Sequence, residues 1–255
     1  MQETPNSGSK EQAPLFGIRP LIEAIEAGKT IDRIFMQRGL RGENVKELLQ
    51  LLREHGLHYQ QVPIEKLNRL TKKNHQGIVA FMTHVEYQPI EAVLPGIYEK
   101  GEEPLLIMLD RVTDVRNFGA IARSAECLGG HALIVPQRGM APANGDAVKS
   151  SAGALLRLPI CREANLKSSL QFLKDSGVQL LAVTEKGKQS VHEADLDGPI
   201  CLLMGSEEDG ISPEYLKMAH QQVFIPMIGH TASLNVSVSA GILLAEVQRQ
   251  RRLKQ

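Results

Sequence analysis

From residue 105 onward the chain carries six short apolar runs, LLIML, ALIV, LPIC, LLAVT, ICLLM and VFIPM, set between stretches of helical texture such as GAIARSAECLG and LKSSLQFLKDSG. Brief β-rich runs alternating with helical segments are what a parallel sheet and its crossover helices require, because parallel neighbours cannot be joined by a tight turn. The alternation predicts an α/β fold, a parallel sheet flanked by helices. Such sheets place ligands at the carboxyl ends of their strands, so the polar segments just after the runs are the candidates for chemistry.

The charge of the 255-residue chain is balanced, with 29 basic and 29 acidic side chains, so an anionic partner has to be met by a local patch. Residues 15–83 hold 11 Lys/Arg and 7 Asp/Glu, whereas residues 84–103 hold 1 and 5. The acidic stretch contains Pro89, Pro95 and Gly96 and ends in KGEEP, which reads as a linker. The expected organisation is a flexible tail over 1–14, a small α/β domain over 15–83, the linker over 84–103, and the main domain over 104–255. A hydrophobic share of 42% supports a real core and excludes disorder or a fibre. No apolar run reaches the ~18 residues of a membrane helix, and the first residues lack a signal-peptide segment, which predicts a cytoplasmic protein. Cys127, Cys161 and Cys201 lie far apart without CxxC spacing and are expected buried and inert. His55 and His58 have no cysteine or carboxylate set to complete a metal site, so no metal is expected.

In the first domain the pattern predicts helices over 20–27 and 44–55, strands near 33–36, 59–62 and 77–82, and a turn over 71–75. Val45, Leu48, Leu49 and Leu52 recur at helical spacing and form a core face. Arg38, Arg41, Lys72 and Lys73 fall in loops, as solvated charge or as a phosphate surface.

Three polar segments follow three runs in the second domain. LLIML leads into DRVTDVRNFGAIARSAE, where Asp110, Asp114, Asn117 and Arg123 surround Gly119, read as freeing the turn before a helix. ICLLM leads into GSEEDGIS, holding Glu207 and a Ser212–Pro213 helix start. VFIPM leads into IGHTASLNVSV, where Ser233 and Asn235 open a long C-terminal helix. Singly, an Asn or Ser in such a place is a cap more often than a catalyst. GxGxxG, P-loop and GxSxG patterns are all missing, which lowers dehydrogenase, NTPase and serine-hydrolase readings together.

Taken together, D-x-V-x-D-x-x-N-x-G-A-x-x-R-S-A, M-G-S-E and I-P-M-x-G-x-x-x-S-L-N-V-S-V, in that order across residues 104–252, resemble the SpoU, or TrmH-like, family of RNA ribose 2′-O-methyltransferases. The resemblance implies a C-terminal trefoil knot, S-adenosylmethionine as cofactor, S-adenosylhomocysteine as product, and a homodimer formed by the catalytic domains. The N-terminal region resembles the small substrate-binding domain of the branch that modifies large-subunit ribosomal RNA. Asn117, Arg123, Glu207, Ser233 and Asn235 match the family's polar motif positions and are expected at the reaction centre. Gly205, Ile225 and Leu234, with Leu203, Met204 and Met227 nearby, are expected around the cofactor. Glu208 stands where the family usually has Gly, so a positive φ there would cost strain of order 1 kcal/mol.

Methyl transfer to a ribose hydroxyl asks the protein to align two reactants and manage one proton. An ordinary arginine, with a pKa near 12.5, is neutral at pH 7 only at a cost of roughly 7.5 kcal/mol. Arg123 is therefore read first as a cation beside the developing alkoxide and a phosphate, with proton loss to that phosphate or water. Glu207 is read as a holder of Arg123 or of a backbone amide. Trp is absent and aromatic residues total 4%, so RNA recognition should rest on shape and phosphate contacts at Arg38, Arg41, Lys72 and Lys73, with help from Arg249, Arg251, Arg252 and Lys254. Val238, Ile242 and Ala245 serve the core or a partner chain. A tRNA methyltransferase and a non-catalytic ribosome-assembly factor of the same fold are the alternative readings.

Overall fold

The computed structural model describes residues 14–82, 85–231 and 233–254. All but Pro14 of the expected tail therefore lies outside the described residues. The chain divides into two compact units, one running to Val85 and including Pro142–Gly145, the other comprising Glu86–Ala141 and Asp146 onward.

In the first unit, β1 (Leu15–Phe16), α1 (Ile18–Glu26), β2 (Ile31–Gln37), α2 (Glu43–Glu54), β3 (Gln60–Val62), α3 (Ile64–Leu70) and β4 (Ile78–Met82) follow one another. The sheet has the order β1-β4-β2-β3, antiparallel except where β2 meets β3. Period-two alternation divides its apolar side chains between two faces. Ile34, Met36, Ile78 and Ala80 pack with Leu21, Ile25, Leu48 and Leu52 of α1 and α2. Phe35 and Val79 pack on the other side with Val62 and Leu67 of α3. On α2, Val45, Leu48 and Leu52 are buried as expected, while Leu49 is half-buried.

The second unit contains β5 (Tyr87–Gln88), α4 (Ile90–Glu99), β6 (Leu105–Leu109), α5 (Val115–Cys127), β7 (Ala132–Pro136), α6 (Gly145–Ser150), β8 (Ile160–Glu163), α7 (Leu166–Asp175), β9 (Gln179–Val183), β10 (Gln189–Ser190), β11 (Ile200–Met204), α8 (Pro213–Met218), β12 (Gln221–Phe224) and α9 (Val236–Leu253). Its sheet runs β10-β12-β9-β11-β6-β7-β8-β5, and every strand pairing among the described residues is parallel. The carboxyl ends of β12, β9, β11 and β6 thus lie side by side along one edge. β6 and β11 are fully buried, which is why their sequences are apolar without alternation.

Several expectations need correction. The stretch read as a linker is largely built into the second unit: β5 pairs with β8, and Ile90, Leu94 and Ile97 of α4 enter the core. Gly119 lies inside α5, not in a turn before it. A Cβ there would collide with the Ser150 Cβ and the Ala147 carbonyl, so the glycine permits close packing of α5 on α6. Cys161 and Cys201 are buried, and burial raises both thiols, Cys161 up to about 12, but Cys127 is exposed at the end of α5. Among the described residues no helix is long and apolar enough to cross a membrane.

Candidate active site

Four strand ends build the site. After β6, Asp114 caps α5 by accepting from Arg116 N at 2.7 Å and Asn117 N at 3.3 Å, and this places Asn117 in the first turn of the helix. After β11, residues 205–210 form a tight turn that carries Glu207. After β12, the chain runs through Ile225–Leu234 to Asn235, the N-cap of α9, whose Oδ1 accepts from Ser237 N at 2.9 Å and Val238 N at 3.4 Å.

These three elements converge on one carboxylate oxygen. Asn117 Nδ2 donates to Glu207 Oε1 at 3.1 Å, and Asn235 Nδ2 donates to the same atom at 2.6 Å. Asn235 Nδ2 also donates to Asn117 Oδ1 at 3.0 Å. A closed triangle results, with Glu207 and Asn235 exposed and Asn117 half-buried. Glu207 Oε2 has no partner among the described residues, so it is available to accept from an incoming hydroxyl. Glu207 is thus held by two amides and not by Arg123.

Glu207 also borders a cavity of about 280 Å³ between the ends of β9, β11 and β12. Met204, Gly205, Ile225, Met227 and Leu234 line it, and so does Ser233, which makes no bond to the triangle. Leu203 does not; it is 2% exposed and belongs to the core beneath. Val183, Thr184, Glu185 and Lys186 form a wall that the motif segments did not announce. The signal was present, since these residues follow the LLAVT run at the carboxyl edge of the same sheet. Gly205 is required by space, because a Cβ would fall onto the backbone of Gly210 and Ile211. Glu208 lies outside the positive-φ region, which in this turn is taken by Gly210 at +66°, so the anticipated strain is absent.

Arg123 stands apart from the triangle. It is exposed, has no partner among the described residues, and lies six residues beyond Asn117, about 240° further round α5. Arg38, Arg41, Lys72 and Lys73 are exposed in the turns of the first unit, with Lys73 Nζ 5.0 Å above the Phe16 ring. The basic C-terminus is mostly committed to structure. Arg249 pairs with Glu246, Lys254 with Asp195 and Asp197, and Arg251 donates to the carbonyls of Glu103, Pro104 and Gly198. Val238 and Ala245 are exposed and Ile242 half-buried, an apolar stripe on α9 opposite the buried Leu243, Leu244 and Val247.

Residues 104–245 match the model of the SpoU rRNA Methylase family, and residues 14–88 match the model described as RNA 2′-O ribose methyltransferase substrate binding. An uncharacterized tRNA/rRNA methyltransferase from Mycobacterium sp. strain KMS is 34% identical over 253 residues, 98% of this chain and 81% of that one. The structure of the SpoU methyltransferase AviRb from Streptomyces viridochromogenes, in complex with AdoMet, aligns with a TM-score of 0.61 at 26% identity, covering 95% of this chain and 91% of the other. An AdoMet-bound rRNA methyltransferase from Sinorhizobium meliloti aligns with a TM-score of 0.59 at 25% identity, covering 92% and 86%. By these matches the chain belongs to the SpoU rRNA methylase family, the TrmH-like RNA 2′-O-methyltransferases.

Proposed function

We propose that the protein methylates a ribose 2′-hydroxyl of large-subunit ribosomal RNA, using S-adenosylmethionine and releasing S-adenosylhomocysteine, and that it works as a cytoplasmic homodimer. The observation that carries this reading is the double membership of Glu207, which is both the acceptor of the asparagine triangle and part of the cavity wall. The residues fit the cofactor: Ile225, Met227 and Leu234 offer an apolar wall for a purine, and the tight 205–210 backbone offers polar groups without side-chain bulk. When bound, S-adenosylmethionine supplies an electrophilic methyl group on a sulfonium. The rest is done by the chain. Glu207 Oε2 accepts the ribose hydroxyl and orients its oxygen, while Asn117 and Asn235 hold that carboxylate in one rotamer. Arg123, exposed and without a partner among the described residues, supplies a cation to the adjacent phosphate and to the charge developing on oxygen, and the hydroxyl proton passes by way of Glu207 Oε2 to water.

Arg38, Arg41, Lys72 and Lys73 give the first unit its phosphate surface. The match of that unit to a substrate-binding model supports an RNA substrate, and the name of the Sinorhizobium protein supports ribosomal RNA. The apolar stripe of Val238, Ile242 and Ala245 supports the dimer. Backbone packed on backbone at Gly187 and Gly205 supports a trefoil knot in the segments after β9. The test is transfer of labelled methyl to RNA from a strain lacking the gene, followed by mapping of the nucleotide. Label in ribosomal RNA that vanishes with a 2′-deoxy nucleotide at the mapped position is expected, with Arg123→Ala inactive yet still binding cofactor. Label on a base, or in tRNA alone, would overturn the assignment.

A further inference from the structure

The turn that presents Glu207 is closed on itself and then tied to a neighbouring strand. Ser206 N donates to Gly210 O at 3.2 Å, Gly210 N to Ser206 O at 3.0 Å, and Asp209 N to Ser206 Oγ at 3.0 Å. From the end of β6, Arg111 reaches across to it. Its Nη1 donates to Asp209 Oδ2 at 2.8 Å and its Nη2 to Gly210 O at 3.3 Å. The same guanidinium is steadied by Asp110, which accepts from Nε at 3.0 Å and Nη2 at 3.3 Å. Asp110 is 5% exposed and also accepts from Ser212 N at 2.7 Å, so the far end of the turn is pinned to β6 as well.

Arg111 occupies φ +57°, an uncommon place for a residue with a Cβ. Its backbone would favour Gly or Asn there, so the side chain is what the position gains by keeping Arg. Three residues further on, Asp114 caps the helix that carries Asn117. Arg111 therefore joins the two arms whose tips meet at the Asn117–Glu207 hydrogen bond.

We infer that Arg111 is a positioning residue for methyl transfer: by clamping Asp209 and Gly210 to β6 it fixes where Glu207 stands relative to Asn117, Asn235 and the cavity. This rests on the function proposed above. A planar fork suits the task, because one group must serve a carboxylate on each side and a carbonyl together. A lysine ammonium can reach one of these partners at a time.

The decisive variant is Arg111→Gly, which removes the clamp and relaxes the backbone, so loss of function cannot be charged to a strained main chain. Expected are a Tm within a few degrees of wild type, faster hydrogen exchange at the amides of Gly210 and Ser212, and kcat lowered about 10- to 100-fold, the scale of a misplacement near 1 Å. KM for ribosomal RNA should hardly move, since the phosphate surface is untouched. Arg111→Lys should recover part of kcat. Wild-type kcat and exchange in Arg111→Gly would overturn the inference, and so would a loss of kcat matched by general destabilisation with no recovery in Arg111→Lys. If Arg111→Gly does not fold, Asp209→Asn, which weakens only the outer ion pair, must show faster Gly210 exchange and lower kcat. Should the wild-type protein transfer no methyl to RNA, the proposed function fails, and exchange at Gly210 and Ser212 still decides whether the clamp exists.

Discussion

Replacing Asn235 with Asp separates two duties that one side chain performs. Asn235 Oδ1 caps α9 by accepting from Ser237 N, Val238 N and Ser237 Oγ, while Nδ2 donates to Glu207 Oε1 at 2.6 Å and Asn117 Oδ1 at 3.0 Å. Aspartate keeps the accepting half and abolishes the donating half. As an N-cap it equals asparagine, and its charge gains about 0.3–1 kcal/mol from the helix dipole, so the start of α9 should survive. The new carboxylate, however, faces Glu207. Even after the two relax to about 4 Å, their repulsion is about 1 kcal/mol in water and about 4 kcal/mol at an effective dielectric of 20, and this open site falls between those limits. One carboxyl of the pair then holds a proton about 1–3 pH units higher than an isolated one does. Methyl transfer should fall about 100-fold at pH 8, with part of it regained near pH 5.5, and Tm should stay within a few degrees of wild type. Asn235→Ala should instead lose about 1 kcal/mol of stability with the cap and show no regain at acid pH. The assay is single-turnover methyl transfer against pH, with thermal melts alongside. Wild-type turnover by Asn235→Asp at pH 8 would refute the role assigned to the Asn235–Glu207 hydrogen bond.

Gly205→Ala forces a Cβ onto the Gly210–Ile211 backbone, an overpacking worth about 1–3 kcal/mol; a cofactor titration should show at least a tenfold weaker complex, and unchanged binding would contradict the cavity assignment. Changing Arg38, Arg41, Lys72 and Lys73 together to Gln should weaken RNA binding and lower the slope of log K against log salt by about 3, with cofactor affinity unchanged. His131 Nδ1 accepts from Leu105 N and His220 Nδ1 from Leu180 N, and burial depresses both imidazole pKa values. The unfolded chain, titrating near pH 6.5, then binds these protons more readily than the folded one, so stability is full above about 6.5 and falls as pH drops below it. Glu246, pushed down to about 2 chiefly by its Arg249 hydrogen bond, adds a second loss as pH falls below its ordinary range. Thermal melts between pH 8 and 3 check both, and a Tm that rises on acidification would contradict them.

What could be read in advance follows from how much each segment's physics is its own. β6 and β11 are islands of buried apolar residues, so their runs stood out from their surroundings. Helix α4 was concealed by its prolines. Pro89 is its N-cap, where no helical N–H is needed, but Pro95 stands inside it and forfeits one backbone hydrogen bond, a cost that burial of Ile90, Leu94 and Ile97 at helical spacing offsets. Gly119 was misread because tertiary contact with α6 dictates it, and nothing local reports that contact. Asn117, Glu207 and Asn235 were each indistinguishable from ordinary caps or turn residues, and the family resemblance singled them out. Thr184–Lys186 stayed hidden because TEKGK has the composition of any surface turn, although the strand-end rule applied to it equally.

The cap reading and the site reading of these residues turn out to be one. In a parallel sheet the helix that follows a strand begins at the strand's carboxyl end, so its unpaired N–H groups and the positive end of its dipole face the ligand edge. Here α5 begins after β6 and α9 after the segment leaving β12, and the hydrogen bonds from Asn117 and Asn235 bring both helix starts to Glu207 Oε1. Asp114 and Asn235 satisfy the first amides of those helices, yet the field of about half an elementary charge at each N-terminus persists. On the function proposed above, the same field would favour negative charge growing on a ribose oxygen next to Glu207 Oε2, with no reorganisation to make at the moment of transfer. On that proposal the sheet topology, by aligning the ends of β12, β9, β11 and β6, contributes to the chemistry as well as to its scaffold.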